Sequence, residues 1–384
     1  MIAISEINDI ERLNRFRLLW KDLYEKTPRV SFFQSLDWLE SYWNYYGRGK
    51  KLRTLIVSVA GKPIGIVPLI VKPIQTSLGR LRVLTYPLDD WGMFYGPLGP
   101  YPAATLAGAM RYLQESPRDW DTIDLPFIDQ EGTDRGRTQN AMRVRGFQSY
   151  KQHFRSSGIV EMHSDWIDYW MDRPEELRRR YQSADESLVE SGKLRLVRYR
   201  PGGIACDDSD PCWNLYSGFE EMLWHSGSKQ LKRSELNFYR EVYVKAVWAG
   251  AADINLLYVG DQPAAAALNI HRNGLVENIG LVCAPKFPKH TITALMGRML
   301  QDSFERGDTS FLFNPRDSGS PADWKTSTVK SYRYTHFARI VPKAQILRLK
   351  HCLGTWINES SQSQRVAGPP KQHAHLAGLQ SRGN

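Results

Sequence analysis

Apolar and polar positions follow two rhythms along this chain, a period of two and a period near 3.6, and their order predicts an α/β protein. The clearest passage runs over residues 254–315. Residues 254–259 and 264–271 are short apolar runs flanking Gly260-Asp261-Gln262-Pro263, whose residue types favour a tight turn, so the pair reads as an antiparallel hairpin. Arg272-Asn273-Gly274 turns the chain into a third strand over 275–283. A basic loop over 284–290 leads to a helix starting at Thr291, the expected N-cap, with Ile292, Leu295, Met296, Met299, Leu300 and Phe304 on one face. Gly307 ends that helix and residues 310–313 read as a strand.

The same reasoning predicts helices over 10–24, 36–45, 105–114, 213–224 and 234–248, and strands over 52–60, 64–72, 81–84 and 122–125. Residues 165–191 are rich in charge and helix formers. Residues 55–69 and 256–268 echo one another: an apolar strand, a Gly-containing turn closed by Pro63 or Pro263, and a second apolar strand. Residues 358–384 are polar, lack periodic apolar positions and are expected to be disordered.

Composition narrows the function classes. A chain of 384 residues, 42% hydrophobic, accommodates two domains with their own cores. Its longest apolar run, 64–71, is far shorter than the ~20 residues of a membrane span. The first residues lack a basic segment followed by an apolar one, and Cys206, Cys212, Cys283 and Cys352 have neither metal-ligand spacing nor disulfide density. These features point to a cytoplasmic protein with reduced thiols and no metal. The net charge of +10, concentrated at Arg178-Arg179-Arg180 and 193–200, suits an anionic small-molecule partner, and no RNA-binding signature accompanies it. Walker, dinucleotide and GxSxG motifs are absent.

The chemical interest lies where the third strand meets the Thr291 helix, because unpaired N–H groups and the helix dipole favour phosphate there. Lys286, Lys289 and His290 surround that junction. This strand, loop and helix order resembles the core of the GCN5-related N-acetyltransferase (GNAT) superfamily, although the 284–290 loop lacks the superfamily's glycines. A wider resemblance, over residues 20–342, is to the CelD-like acetyltransferases of cellulose and exopolysaccharide synthesis, tandem-GNAT proteins related to FemAB-type transferases. It is carried by Phe33-Gln34-Ser35, Trp38, Tyr42-Trp43, the segment 61–69, Gly92, Gly96-Pro97-Leu98, Trp224-His225-Ser226-Gly227, Phe238-Tyr239, Gly260, Pro263-Ala264-Ala265 and Trp324-Lys325.

The resemblance implies an α/β (α+β) fold of two GNAT-like lobes, each a mixed, mainly antiparallel central sheet flanked by helices. The expected lobes are 1–160 and 213–345, the second binding acyl-CoA, with 161–212 linking them. The implied activity is transfer of an acyl group, acetyl in the first instance, from acyl-CoA to an amine or hydroxyl of a sugar, polysaccharide or envelope precursor. Acetyl-CoA or another acyl-CoA is then the co-substrate, and a small-molecule, glycan or lipid-linked acceptor is the partner. Two alternatives use the same fold: a FemAB-like ligase dependent on aminoacyl-tRNA, and a non-catalytic binding or scaffold protein.

For the transferase, Leu281, Val282 and Cys283 are expected to offer backbone groups to the acyl-pantetheine arm, with Lys286, Lys289, His290 and Thr291 on the phosphates. Glu277, Tyr332, Tyr334, His336 and Lys325 are the candidates for acid, base or charge stabilisation. Asp89, Asp90, Tyr95, Asp317 and Trp324 are the candidates for binding the acceptor.

Overall fold

The computed structural model describes residues 2–201, 211–226, 232–315 and 322–350. Among the described residues, those up to 336 form one compact unit and those from 337 to 350 a second. In the second, Gln345 Nε2 donates to the Ala338 carbonyl at 2.9 Å.

The strands are β1 (Ile2–Ile7), β2 (Lys51–Val59), β3 (Lys62–Thr76), β4 (Gly79–Thr85), β5 (Thr122–Ile128), β6 (Tyr150–Glu161), β7 (Leu194–Tyr199), β8 (Ala252–Val259), β9 (Gln262–Arg272), β10 (Leu275–Cys283), β11 (Ser310–Leu312) and β12 (Ser327–Phe337). The helices are α1 (Ile10–Leu13), α2 (Arg17–Glu25), α3 (Leu36–Tyr46), α4 (Pro102–Glu115), α5 (Arg137–Val144), α6 (Trp166–Met171), α7 (Glu175–Ser191), α8 (Pro211–His225), α9 (Arg233–Trp248) and α10 (Thr291–Glu305). Every described strand lies in one mixed, mostly antiparallel sheet of order β1-β2-β3-β4-β5-β12-β6-β11-β10-β9-β8-β7.

That order reads the same way from either end. From each edge inward come three antiparallel neighbours, then a parallel pair, β4 with β5 or β10 with β11, and the antiparallel β12–β6 pair stands at the centre. The expected α/β fold of two GNAT-like lobes is therefore present, and the 55–69 and 256–268 echo is structural. Pro63 opposes Ser58 and Pro263 opposes Tyr258, and each hairpin shifts register at the same place, after Val57 and after Leu257. The two lobes exchange a strand. β6, from the first half, pairs with β11, and β12, from the end of the second half, lies beside β5.

Of residues 161–212, expected as a link, the described stretch 175–199 contributes to the second lobe. β7 zips along β8 from Leu194 opposite Val259 to Tyr199 opposite Ile254, and α7 packs on α10, with Tyr181 closing over Gly297. Of the basic run at 193–200, expected to suit an anionic partner, Lys193 and Arg195 are exposed, while Arg198 and Arg200 turn inward to buried acids. Arg198 donates Nε and Nη2 to Asp253 at 2.9 and 2.6 Å. At the matching positions of the first lobe the polarity is reversed, since Arg53 on β2 donates Nε and Nη2 to Glu6 on β1 at 2.7 Å each. Both pairs are almost fully buried.

The second lobe's core lies between its sheet, α7 and α10, where Val276, Leu295, Met299 and Phe311 meet. The opposite face is covered by α8 and α9. Gly280 admits the Phe219 ring, to which a Cβ would come within 3.0 Å. No helix among the described residues is long and apolar enough to cross a membrane.

Candidate functional site

The second lobe opens where β10 and β11 part. They pair in parallel only over Leu275–Glu277 and Ser310–Leu312, and β10 then shifts register against β9 between Asn278 and Gly280. Beyond the shift the Ala284 amide donates to the Ala264 carbonyl at 2.9 Å, which sets the alternation of the ladder. Val282, opposite Ala266, exchanges bonds with β9, so Leu281 and Cys283 direct their backbone groups to the edge that β11 has left. On the same edge the Ile279 carbonyl is held by Asn314 Nδ2 at 3.1 Å.

Glu277 sits in the angle of the fork. The slot around it, a cavity of about 10 Å³, is lined by Phe33, Trp91, Met93, Asn278, Leu312 and Phe313. That is close to the space of a single water. Glu277 is 6% exposed, and burial pushes its carboxyl up to about 8. With no cation among the causes of that shift, burial alone sets the group. It is a carboxyl poised near neutrality, as a proton acceptor must be.

The wall facing Glu277 comes from the first lobe. Gly92 lies against the Phe33 ring, where a Cβ would come within 2.8 Å, so the turn approaches only because the side chain is absent. Trp91 meets Phe238 and Tyr239 of α9 edge-on, with centroids 4.8 Å apart in each case. Trp38 packs on Phe33 at 4.9 Å. Phe33, Trp38, Gly92, Phe238 and Tyr239 stand among the residues that carry the family resemblance. Trp91, Met93 and Asn314 were not foreseen. Their signal was weak, since an aromatic loop and an Asn after a strand are common.

The other expected residues divide. Leu281, Val282 and Cys283 lie on the open arm of the fork. Lys286, Lys289 and His290 are exposed on the following bend, where Lys286 Nζ donates to Gln262 Oε1 at 2.6 Å. Thr291 is the first residue of α10 rather than its cap. His290 occupies the cap position without a side-chain bond, because the turn is closed by backbone carbonyls. Burial pushes the Cys283 thiol up, and the Thr291 hydroxyl beside it pulls it back.

Tyr332 and Tyr334 stand apart from Glu277, because β12 joins the first lobe. Their hydroxyls donate to Glu131 and Gln130 at 3.0 Å, on the π-helical turn Gln130–Asp134. His336 Nδ1 lies 2.9 Å from the Gln148 carbonyl. Trp324 is core: it stacks on Trp170 at 5.8 Å, and its carbonyl accepts from the Tyr169 hydroxyl. The Lys325 stem covers Gly158. Asp89 accepts from the Tyr42 hydroxyl at 2.9 Å and pairs with Lys50 and Lys72, which outweigh burial and lower its pKa. Asp90 pairs with Arg155. Tyr95 is buried against Tyr86, and its hydroxyl has no hydrogen-bond partner among the described residues. Asp317 lies outside the described residues. Among the described residues no group of His, Cys, Asp and Glu is placed to hold a metal ion.

Residues 175–326, which contain the fork and its bend, match the family described as Acetyltransferase (GNAT) domain. No curated protein matches the chain. Among solved structures, the crystal structure of FemX is 12% identical and superposes with a TM-score of 0.59 over 90% of this chain and 99% of its own. L-PGS from Bacillus licheniformis is 13% identical, with a TM-score of 0.52 over 91% of this chain and 98% of that one. The C-terminal domain of a putative lysylphosphatidylglycerol synthetase from Agrobacterium fabrum is 9% identical, with a TM-score of 0.51 over 87% and 95%. The chain thus has a FemX-like fold whose second half matches the GNAT domain, with Glu277 at the fork of that half.

Proposed function

We propose that the protein is an acyltransferase of CelD-like type that moves an acyl group from an acyl-CoA thioester to an amine or hydroxyl of a sugar, polysaccharide or envelope precursor. The observation that carries the reading is Glu277, a buried carboxyl with a pKa near 8 at the point where β10 and β11 diverge. The backbone of Leu281 and Cys283 offers an unpaired strand edge on which the amides of a pantetheine arm can lie as an added strand.

The acceptor nitrogen or oxygen attacks the thioester carbonyl, and the new C–N or C–O bond forms as the C–S bond breaks. Glu277 takes the proton that the nucleophile sheds and returns it to the departing thiolate. With a thiol pKa of about 8.5, that leaving group needs little help near neutrality. An N–H on the β10 edge can stabilise the oxyanion.

A second reading has specific support. The first amides of α10 are already bonded to backbone, which weakens the case for a CoA phosphate seat. One structural neighbour is named for making lysylphosphatidylglycerol, an aminoacyl product. An aminoacyl-tRNA donor accounts for both. Thermal shift separates the two readings: a donor at 100 times its dissociation constant raises stability by about 2.7 kcal/mol. The first reading expects a shift with acetyl-CoA. A shift with aminoacyl-tRNA alone, falling steeply with salt, replaces it by the second.

A further inference from the structure

The bend between β10 and α10 has few backbone donors to give. Pro285 and Pro288 carry no N–H. The amides of Ala284, Phe287, Thr291, Ile292 and Thr293 already donate to the carbonyls of Ala264, Ala284, Pro288, Lys289 and His290, at 2.8–3.2 Å. Only Lys286, Lys289 and His290 remain as donors. None of residues 284–291 has a positive φ, so successive amides do not turn to one side as an anion nest requires.

The inner side of the bend is also of the wrong sign. The carbonyl oxygens of Ala284, Phe287 and Pro288 stand 3.5, 3.8 and 3.6 Å from Cys283 Sγ, so oxygen and sulfur fill the place where phosphate oxygens would need N–H groups. Lys286, Lys289 and His290 are exposed, and exposed charges such as those of the two lysines are worth about 1 kcal/mol or less against a screened anion. The strand edge at Leu281 and Cys283, by contrast, retains directional donors and acceptors.

Resting on the acyl-thioester reading above, we infer that the donor is selected through its pantetheine arm and not through its nucleotide. The substrate class is an acyl thioester of phosphopantetheine, carried either by CoA or by the prosthetic arm of a carrier protein. The exposed lysines then meet a single phosphate or the acidic surface around it.

Calorimetric titration of the full chain tests this with four probes: CoA, 4′-phosphopantetheine, adenosine 3′,5′-bisphosphate and a phosphopantetheinylated carrier protein. Phosphopantetheine is expected to bind within about tenfold of CoA, and the bisphosphate to give no heat at millimolar concentration. Tighter binding of the loaded carrier identifies it as the source, and tighter binding of CoA identifies the free cofactor; both outcomes support the inference. A loss of more than about 100-fold on removing the nucleotide, or binding of the bisphosphate alone, overturns the inference and leaves the acyl-CoA reading standing. Absence of binding by all the pantetheine probes overturns both.

Discussion

Glu277 is an ionisable residue in a slot lined mainly by aromatic and aliphatic side chains, and its behaviour follows from that shortage of charged partners. If it is the proton acceptor, Glu277→Gln lowers kcat by about 10²- to 10⁴-fold while leaving thioester binding intact, and wild-type kcat/KM rises with pH to a plateau above about 8. A profile flat from pH 6 to 9 removes the residue from the chemistry. Stability responds in the opposite direction. The unfolded carboxyl releases its proton near 4.5 and the folded one near 8, so the folded state holds more protons between those values and stability falls as pH rises through the window. Melting temperatures of wild type and Glu277→Gln are expected to converge near pH 4 and to separate by pH 9, with the variant the more stable. Equal separation at both ends would mean that the carboxyl is charged or neutral throughout.

At the scale of elements, the edge strands of the two lobes are fixed by buried ion pairs of opposite polarity. Asp253 is fully buried, which pushes its pKa up, yet Arg198 and Arg200 outweigh burial and hold it below the ordinary carboxylate range. Arg198→Ala strands that charge, and urea titration is expected to show a loss of about 3–5 kcal/mol. Adding Asp253→Asn is expected to recover part of the loss, because a neutral side chain no longer demands a partner. Additive losses in the double variant would argue that the cost of Arg198→Ala is packing alone. The reversed polarity also discriminates between strands: β1 brought beside β8 would set Glu6 against Asp253, and β7 beside β2 would set Arg198 against Arg53.

For the whole molecule, the exchange of β6 and β12 ties the halves together. β6 stands between β12 and β11 and β5 flanks β12 on its other side, so residues 162–350 alone would leave β11 with one unpaired edge and β12 with no neighbouring strand. That fragment is expected not to fold by itself, and residues 1–350 are expected to unfold with coincident transitions by far-UV circular dichroism and tryptophan fluorescence. Two separated transitions would show that the lobes are independent. The site has the same dependence. Glu277 belongs to the second half, and Phe33, Trp91 and Met93, which line its slot, belong to the first.

Short-range chemistry was legible in the chain. Gly260-Asp261 forms the β8–β9 turn, with Gln262 and Pro263 already in β9, and the 3.6-residue apolar period forms α10, because a turn or an amphipathic helix is set by residues within a few positions of each other. Glu277 was recognisable as a carboxyl in an apolar strand. β1 and β7 were not recognised, since the burial of Glu6 and of Arg198 is possible only opposite partners about fifty residues away. Tyr332 and Tyr334 were expected to serve the chemistry and lie against the π-helical turn, because only the sheet's strand order assigns β12 to the first lobe, and Trp324 lies in the core because Trp170 and Tyr181, remote along the chain, pack on it. The sequence by itself determined the hairpins, the helices and which residues can titrate. The tertiary structure decided which strand each hairpin meets, how far Glu277 is removed from water and how little phosphate-binding backbone the bend retains, since pairing, desolvation and the direction of an amide all depend on residues remote along the chain.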